Sequence, residues 1–302
     1  MDIRSALRQG ISTLRGAGVP SYTLAAELLL LDSIGRDRAW IYAHPEDEVP
    51  AEQWARFLSL VARRAKGEPT QYLTGKREFW GLEFLVTPDV LIPRPETELV
   101  VEVALDRLAL GQLRAGRANR TDGHGLWIAD IGTGSGCIAI ALAKQLRLAE
   151  ILATDISSRA IAVARQNARR HGVTERVRFV EANLFEGSRE WPAKSGEPGA
   201  AFDLIVSNPP YVGLREAETL PREVREHEPD LALYGGEEGY ELYRELIRQS
   251  GKRLKPGGGL VVELGHNSLP AVRPLFDSPE WTEVGVSQDL AGLPRVVAAK
   301  RR

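Results

Sequence analysis

The residues of this chain best suited to chemistry are Asn208-Pro209-Pro210-Tyr211. Two prolines fix φ and remove two backbone donors. The residue before each is pushed toward extended geometry. What remains around Asn208 is rich in carbonyl oxygens, from its own side chain and from the Pro209 backbone, with the aromatic face of Tyr211 beside them. Such a platform of acceptors suits a planar group that carries an NH2, an amide or an exocyclic amine. A proline turn closing a strand is the competing reading.

A second set of residues narrows the choice. Asp130-Ile131-Gly132-Thr133-Gly134-Ser135-Gly136 follows the strand-like Leu126-Trp127-Ile128-Ala129 and precedes an apolar helix start, Cys137 to Ala143. A strand, Gly-rich turn and helix in that order let a ligand come close to the backbone. The glycines are spaced G-x-G-x-G, not in the dinucleotide pattern G-x-G-x-x-G, and the Gly-Lys-Ser/Thr of a phosphate loop is absent. A further strand, Ile151 to Asp155, ends in an acid about 20 residues beyond the loop, where a ribose-hydroxyl acceptor is expected. A Gly-rich turn without phosphate machinery, followed by this acid, fits S-adenosylmethionine.

The elements that must position these residues show in the hydrophobic pattern. From Leu126 onward strands (126–131, 150–154, 177–181, 202–207, 259–264, 282–287, 294–299) alternate with helices (135–146, 158–171, 238–253, 269–276). This argues for an open, mostly parallel sheet with helices on both faces. The last two strands are joined too tightly for a parallel crossover, so they must be antiparallel neighbours. Asp155 and Asn208 then lie at carboxyl ends of strands, where open α/β sheets bind ligands.

Before this domain, residues 1 to about 65 read as a small helical bundle. Ile3, Leu7, Ile11 and Leu14 recur at helical spacing, as do Leu24, Leu28 and Leu31, then Trp54, Leu58 and Val61. The segment 16–20 ends the first helix, Ser21 is expected to cap the next, and Pro50 precedes the third. Tyr72-Leu73 and Phe79 to Val86, punctuated by Gly75 and Gly81, read as strands or a hairpin linking two domains. Residues 96–110 are again helical, with Val101, Leu105 and Leu108 on one face. The segments 111–125 and 187–199 read as solvated loops without an assigned role, and His227 falls in a charged loop, either surface or functional. The expected organisation is a helical domain at 1–68, a hairpin linker at 69–95 and a catalytic domain at 96–302.

Bulk properties set outer bounds. A chain of 302 residues suggests about two domains. Hydrophobic residues make up 43%, enough to fill a core, and a net charge of -2 gives no general field for nucleic acid. One cysteine rules out an intramolecular disulfide framework. No apolar run reaches the ~18 residues of a membrane span, and Met1 to Ser5 opens no signal-peptide core. The expectation is a monomeric cytoplasmic enzyme without membrane, direct nucleic-acid or metal dependence.

The chain resembles the HemK/PrmC family of protein-(glutamine-N5) methyltransferases, which modify peptide chain release factors. The resemblance covers nearly the whole chain. It runs through Gly67 to Gly75, Phe79 to Phe84, Val90 to Glu98, the Gly loop, the Asn-Pro-Pro-Tyr motif, Glu228 to Leu233 and Gly235 to Gly239. Ile92-Pro93-Arg94-Pro95-Glu96-Thr97-Glu98 is its most specific part. One departure is Glu238 and Tyr240, where many relatives have Asp and Leu. The resemblance implies a class I S-adenosylmethionine-dependent methyltransferase, seven-stranded and Rossmann-like, with a small N-terminal helical domain and a β-hairpin linker. It implies methyl transfer to the glutamine of the Gly-Gly-Gln motif of class I release factors. The alternatives are a glutamine of a large-subunit ribosomal protein and, further off, adenine-N6 of DNA.

It also assigns roles to residues. Asn208 Oδ1 and the Pro209 carbonyl would hold the substrate NH2, with Pro210 beside them. Tyr211 would stack on the flat amide or fill the pocket wall. Gly132, Thr133, Gly134, Ser135, Gly136, Asp155, Asn183 and Asn208 would line the cofactor site, with Leu184 against adenine. Asp130 would contact the methionine part of the cofactor or brace the loop. Arg94 and Glu96 would shape the entrance, and the helical domain would help hold the release factor or serve as a cap.

Overall fold

The computed structural model describes residues 1–114, 122–186 and 202–302. The chain divides into two compact units, one of 1–76 with 220–227, the other of 77–219 with 228–302.

The first unit is helical: α1 (Ile3–Gly16), α2 (Tyr22–Ile34), α3 (Arg38–Ala43), α4 (Ala51–Ala65) and α5 (Thr70–Thr74), with a short helix Arg222–His227. Asp2 caps α1 by accepting from the Ser5 amide at 2.7 Å. Ile3, Ala6 and Leu14 of α1 pack with Leu29 and Leu30 of α2 and with Phe57 and Val61 of α4. A Cβ at Gly10 would lie 2.6 Å from Phe57 Cζ, so glycine lets this ring against α1.

Several local expectations are corrected here. Ser21 precedes α2 in a left-handed conformation (φ 51°) and makes no side-chain cap bond. Leu24 and Leu28 are on the exposed side of α2, 51% and 38% accessible; Ala25, Ala26, Leu29 and Leu30 are buried instead. The run 24–31 is apolar almost throughout, so its spacing could not choose a face. Leu58 is likewise exposed, and Phe57 takes its place in the core. Tyr72 and Leu73 lie in helix α5, not in a strand. His227 ends a helix and not a loop. Arg64, buried in α4, pairs with Glu223 of that helix at 2.5 Å.

A hairpin follows, β1 (Lys76–Phe79) and β2 (Leu82–Leu85), which belongs to the second unit from Arg77 onward. Trp80 and Gly81, at its turn, both have positive φ, 55° and 69°, the backbone sign demanded at both central positions of a type I′ turn. Next comes α6 (Glu98–Arg114), which takes up the first four residues of the expected loop at 111–125. Residues 115–121 of that loop, and all of 187–199, lie outside the described residues. Gly123 is tightly seated, since a Cβ there would lie 2.8 Å from Leu146 Cβ.

The rest alternates strand and helix: β3 (Trp127–Ile131), α7 (Cys137–Gln145), β4 (Glu150–Asp155), α8 (Ser158–Arg170), β5 (Val177–Glu181) and β6 (Phe202–Ser207). A small parallel pair follows, β7 (Val212–Gly213) with β8 (Tyr234–Gly236). The helix Glu241–Arg253 leads to β9 (Leu254–Glu263), β10 (Trp281–Gln288) and β11 (Pro294–Arg301). Seven strands form one sheet in the order β10-β11-β9-β6-β3-β4-β5. Pairings among β5, β4, β3, β6 and β9 are parallel. β11 is antiparallel to β9 and to β10, as the short connection between the last two strands requires.

Both faces of the sheet are covered. Ile128, Leu204, Val206 and Val261 pack in one cluster with Val100 and Val101 of α6 and with α7; Ala129, Ile131, Ile205 and Val262 pack in the other with Tyr243, Leu246 and Ile247. The alternation follows from the two-residue period of a strand. Helix α7 is buried from Cys137 through Ala143, which explains why its sequence shows no polar face. Among the described residues, no helix is long and apolar enough to cross a membrane.

Candidate active site

Strand order reverses at β3, whose neighbours are β4 on one side and β6 on the other. Register there aligns Ile131 with Thr154 and with Ser207. The Gly loop, Asp155 and Asn208 therefore leave the sheet side by side at its carboxyl edge, the position where open α/β sheets bind ligands.

The loop is braced from below. Asp130 is fully buried, and its Oδ2 accepts from Thr133 Oγ1 at 2.7 Å and from the Ala139 amide at 3.2 Å. Burial pushes its carboxyl up to about 7 despite these bonds. Gly132, Gly134 and Gly136 all have positive φ (73°, 54° and 83°), which β-carbon-bearing residues rarely adopt. Three amides of the loop are satisfied internally: Thr133 donates to the Thr154 carbonyl, Gly134 to Asp155 Oδ2 and Gly136 to the Thr133 carbonyl. Amides spent in this way do not form the open nest that a phosphate needs.

Asp155 also accepts from the Ser157 amide at 2.9 Å, through the oxygen that does not bond Gly134, and a carboxylate has room for further donors. Burial raises its pKa from the usual carboxylate value, against the lowering effect of those amides. Leu184 has φ 52°, and its carbonyl accepts from Thr154 Oγ1 at 3.1 Å. That bond holds a strained turn in place beside the loop.

These parts share one cavity of about 250 Å³. Gly132, Thr133, Gly134, Ser135, Asp155, Asn183, Leu184, Asn208 and Pro210 all line it. Asp130 and Gly136 do not: the first acts from beneath, the second fits between helices, where a Cβ would come within 3.2 Å of Ala164 Cβ. Pro209 and Tyr211 are also outside the lining. Tyr211 packs with the apolar cluster around Tyr243 and against Gly265, whose Cβ would lie 2.8 Å from Tyr211 Cδ2. Its phenol, pushed up to about 12 by burial, stays protonated near neutral pH and offers no base.

Asn208 is held by its amide nitrogen, which donates to Thr97 Oγ1 at 3.2 Å. The following loop is clamped by close backbone contact: a Cβ at Gly235 would overlap the Pro210 carbonyl, and one at Gly239 the Tyr211 carbonyl. The Gly-Gly-Glu-Glu-Gly segment thus seats the Asn-Pro-Pro-Tyr backbone. A second wall comes from the segments 89–97 and 229–232. Buried Glu228 joins them, accepting from Arg94 Nη2 at 2.6 Å and from the Ile92 amide at 3.2 Å. Glu96, by contrast, is exposed.

Sequence reading missed four residues of this region. Ile156 lines the cavity while 51% exposed; an apolar residue just after the strand-end acid was the available signal. Asn167 on α8 binds the Leu85 amide and carbonyl and the Ser135 carbonyl, tying the hairpin to the Gly loop. It is the polar exception on an apolar helix face with Ile161, Ala164 and Ala168. Glu263 closes the apolar run of β9, and Thr97 sits inside the quoted Ile-Pro-Arg-Pro-Glu-Thr-Glu segment.

The cavity suits a ligand with a flat apolar part, against Ile156 and Leu184, and a hydroxyl-bearing part at Asp155. Asn208 stands where a second molecule could meet it. These residues fit S-adenosylmethionine: an apolar cleft for the base, an acid with free lone pairs for the ribose and no phosphate nest.

The chain is similar to known proteins over its whole length. The PrmC N-terminal domain matches residues 5–75, and the methyltransferase small domain matches residues 118–224. A release factor glutamine methyltransferase of Koribacter versatilis is 41% identical over 302 residues, covering 100% of this chain and 99% of the relative. One from Geobacter sulfurreducens is 41% identical over 298 residues, covering 99% and 96%. Among solved structures, the hMettl16 catalytic domain in complex with a MAT2A 3'UTR hairpin aligns with TM-score 0.53 at 18% identity, over 79% of this chain and 81% of that one. A methyltransferase from Pyrococcus furiosus aligns with TM-score 0.50 at 18% identity, over 79% and 96%. At such identity these two speak to the fold alone.

Proposed function

The chain belongs to the release factor glutamine methyltransferase family, and from that premise we propose that it transfers a methyl group from S-adenosylmethionine to the side-chain amide nitrogen of the glutamine in the Gly-Gly-Gln motif of class I peptide chain release factors. The observation that carries this reading is that Asn208 shares one cavity with the Gly loop and Asp155. The reading takes Asn208 as the acceptor for the substrate NH2, beside a cofactor bound against the Gly loop and Asp155.

Bound there, S-adenosylmethionine would supply a methyl group on a positively charged sulfur, which a neutral nitrogen can attack in line. The difficulty lies with the nucleophile, because an amide nitrogen delocalises its lone pair into the carbonyl. Asn208 Oδ1 and the Pro209 carbonyl accept the two hydrogens of the substrate NH2 and aim its electron density at the methyl carbon. The same two oxygens stabilise the positive charge that grows on nitrogen, an electrostatic gain that a prepositioned site provides without reorganisation. Holding both reactants in such geometry can supply about 7–11 kcal/mol of the barrier. The methylated nitrogen is acidic enough to lose its proton to water, so the site needs no strong base. Asp155 would hold the ribose and Leu184 and Ile156 the base, while Tyr211 supports the loop from the core side. The helical unit, matched by the PrmC N-terminal domain, contributes to holding the release factor.

The test is transfer of labelled methyl from S-adenosylmethionine to a purified release factor, beside its Gln→Ala variant in the Gly-Gly-Gln motif. Label on the wild-type factor alone is expected. Absence of label from both, with cofactor binding confirmed, would overturn the substrate assignment.

A further inference from the structure

Behind Asn208 lie two buried polar residues that the reaction as described does not use. Thr97 is 2% exposed and Glu263 1%. The Thr97 hydroxyl accepts from Asn208 Nδ2 at 3.2 Å. Ser207 pairs with Val262, so Glu263 lies beside Asn208, and the Thr97 hydroxyl is near enough to act on its carboxyl and lower its pKa. Glu263 Oε2 is buried without a hydrogen-bond partner. Arg295, a cation of β11, is hydrogen-bonded to Asp289, at 2.9 and 3.2 Å, and reaches Glu263 through space. Tyr243 donates to the Glu263 backbone carbonyl, not to its carboxyl. A buried carboxyl so weakly compensated is a poor device for stability.

An asparagine amide can be turned over with almost no change of shape, exchanging Oδ1 for Nδ2. In one orientation Oδ1 faces the substrate NH2 and accepts from it. In the other, an NH2 would face an NH2. Thr97 could support either, since a hydroxyl both donates and accepts. An ionised carboxylate only accepts, so it takes the hydroxyl proton and leaves the hydroxyl oxygen to accept from Asn208 Nδ2. The chain of bonds then has a single direction, ending with Oδ1 turned toward the cavity.

We propose that Thr97 and Glu263 are positioning residues that fix the orientation of the Asn208 amide, so that its oxygen and not its nitrogen meets the substrate. The inference rests on the reading of Asn208 as the acceptor for the substrate amide. It extends to pH. The titratable and charged groups that interact with Glu263 through space are Arg295 on β11, Arg94 and the exposed Glu96 before α6, Tyr211 after β6, Cys137 at the start of α7, and Tyr243 on the helix before β9. Burial, outweighing Thr97 and the two arginines, pushes the Glu263 carboxyl up to about 7. Above that pH the carboxylate directs the hydroxyl. Below it, a protonated carboxyl can itself donate to Thr97, and the direction is lost.

The test measures methyl transfer to a purified release factor and cofactor affinity by calorimetry for full-length Thr97→Val, Thr97→Ser, Glu263→Gln and Asn208→Ala. Thr97→Val keeps the shape and removes the hydroxyl; a fall in kcat of roughly tenfold or more, with cofactor Kd within about threefold, is expected. Thr97→Ser restores the hydroxyl and should recover most of the rate. In the wild type kcat should decline as pH falls through about 7, and Glu263→Gln, which folds around the same shape, should be slow and lack that decline. Wild-type turnover by Thr97→Val, a Ser variant as slow as the Val one, or an unchanged pH profile in Glu263→Gln would overturn the proposal. An inactive Asn208→Ala beside a fully active Thr97→Val would sink this inference alone, whereas an active Asn208→Ala would sink the reading beneath it.

Discussion

Asn208 and Asp155 divide the work of the cavity between substrate and cofactor, and their variants should separate accordingly. Asn208→Ala is expected to lower kcat by about a hundredfold or more, the scale of losing one prepositioned charge-stabilising group. Cofactor Kd, measured by calorimetry, should stay nearly constant. Asp155→Ala, which also frees the Gly134 amide, should weaken cofactor binding by about 1.5–3 kcal/mol, the range for hydrogen bonds to a charged group. Equal loss of both properties in Asn208→Ala would contradict the division. Cys137 offers a third test at this scale. Burial pushes its thiol up to about 12, so the reactive thiolate is scarce at pH 8. Iodoacetamide should leave it intact in the folded protein and modify it in urea, as read by mass spectrometry.

At the scale of elements, two glycines carry the most specific demands. Gly136 (φ 83°) closes the loop onto α7, and a Cβ would press on Ile140 and Ala164. Gly239 (φ 87°) lies under the loop after Pro210, where a Cβ would overlap the Tyr211 carbonyl. Gly136→Ala should lower the urea midpoint, with roughly 1–3 kcal/mol lost to backbone strain. Gly239→Ala should in addition depress methyl transfer, since it displaces the backbone that carries the Pro209 carbonyl. Unchanged transfer in Gly239→Ala would show that the loop tolerates the shift. Periodicity was a reliable guide to strands, whose boundaries it found within a few residues. It failed for α2, whose leucines run all round the helix, and for Tyr72-Leu73, where aromatic and branched character suggested a strand that a single helical turn occupies.

Over the whole molecule, two units and two buried carboxyls decide how stability should behave. Phe57 is the fully buried centre of the helical unit. Phe57→Ala should cost about 3–5 kcal/mol in that unit, while cofactor affinity, which belongs to the other, stays unchanged. Asp130 rises from 3.8 to about 7 on folding. Between those pH values the folded chain keeps a proton that the unfolded chain has lost, so this group's contribution to stability falls as pH rises through the window and is level above it. Glu263, raised to about 7, acts with the same sign. Asp130→Asn has no such proton to lose. Its urea midpoint relative to the wild type should therefore increase from pH 5 to pH 8; a constant difference would mean that Asp130 is ionised in both states.

The sheet, the Gly loop, the strand-end acid and the Asn-Pro-Pro-Tyr segment were legible along the chain, because each is written in local terms: a two-residue or 3.6-residue hydrophobic period, glycines where φ must be positive, prolines where it must not vary. The sequence also carried the family resemblance, through segments that keep their order along the chain. Tertiary structure alone decided what lies behind those residues. Thr97 and Glu263 are 166 residues apart, and nothing local announces that β9 brings the second near the first, or that Asn208 leans on Thr97. Glu228 meets Arg94 and Gly235 meets Pro210 for the same reason. Short-range pattern encodes which element forms, whereas hydrogen bonds between buried side chains depend on which elements become neighbours, and only the folded sheet settles that.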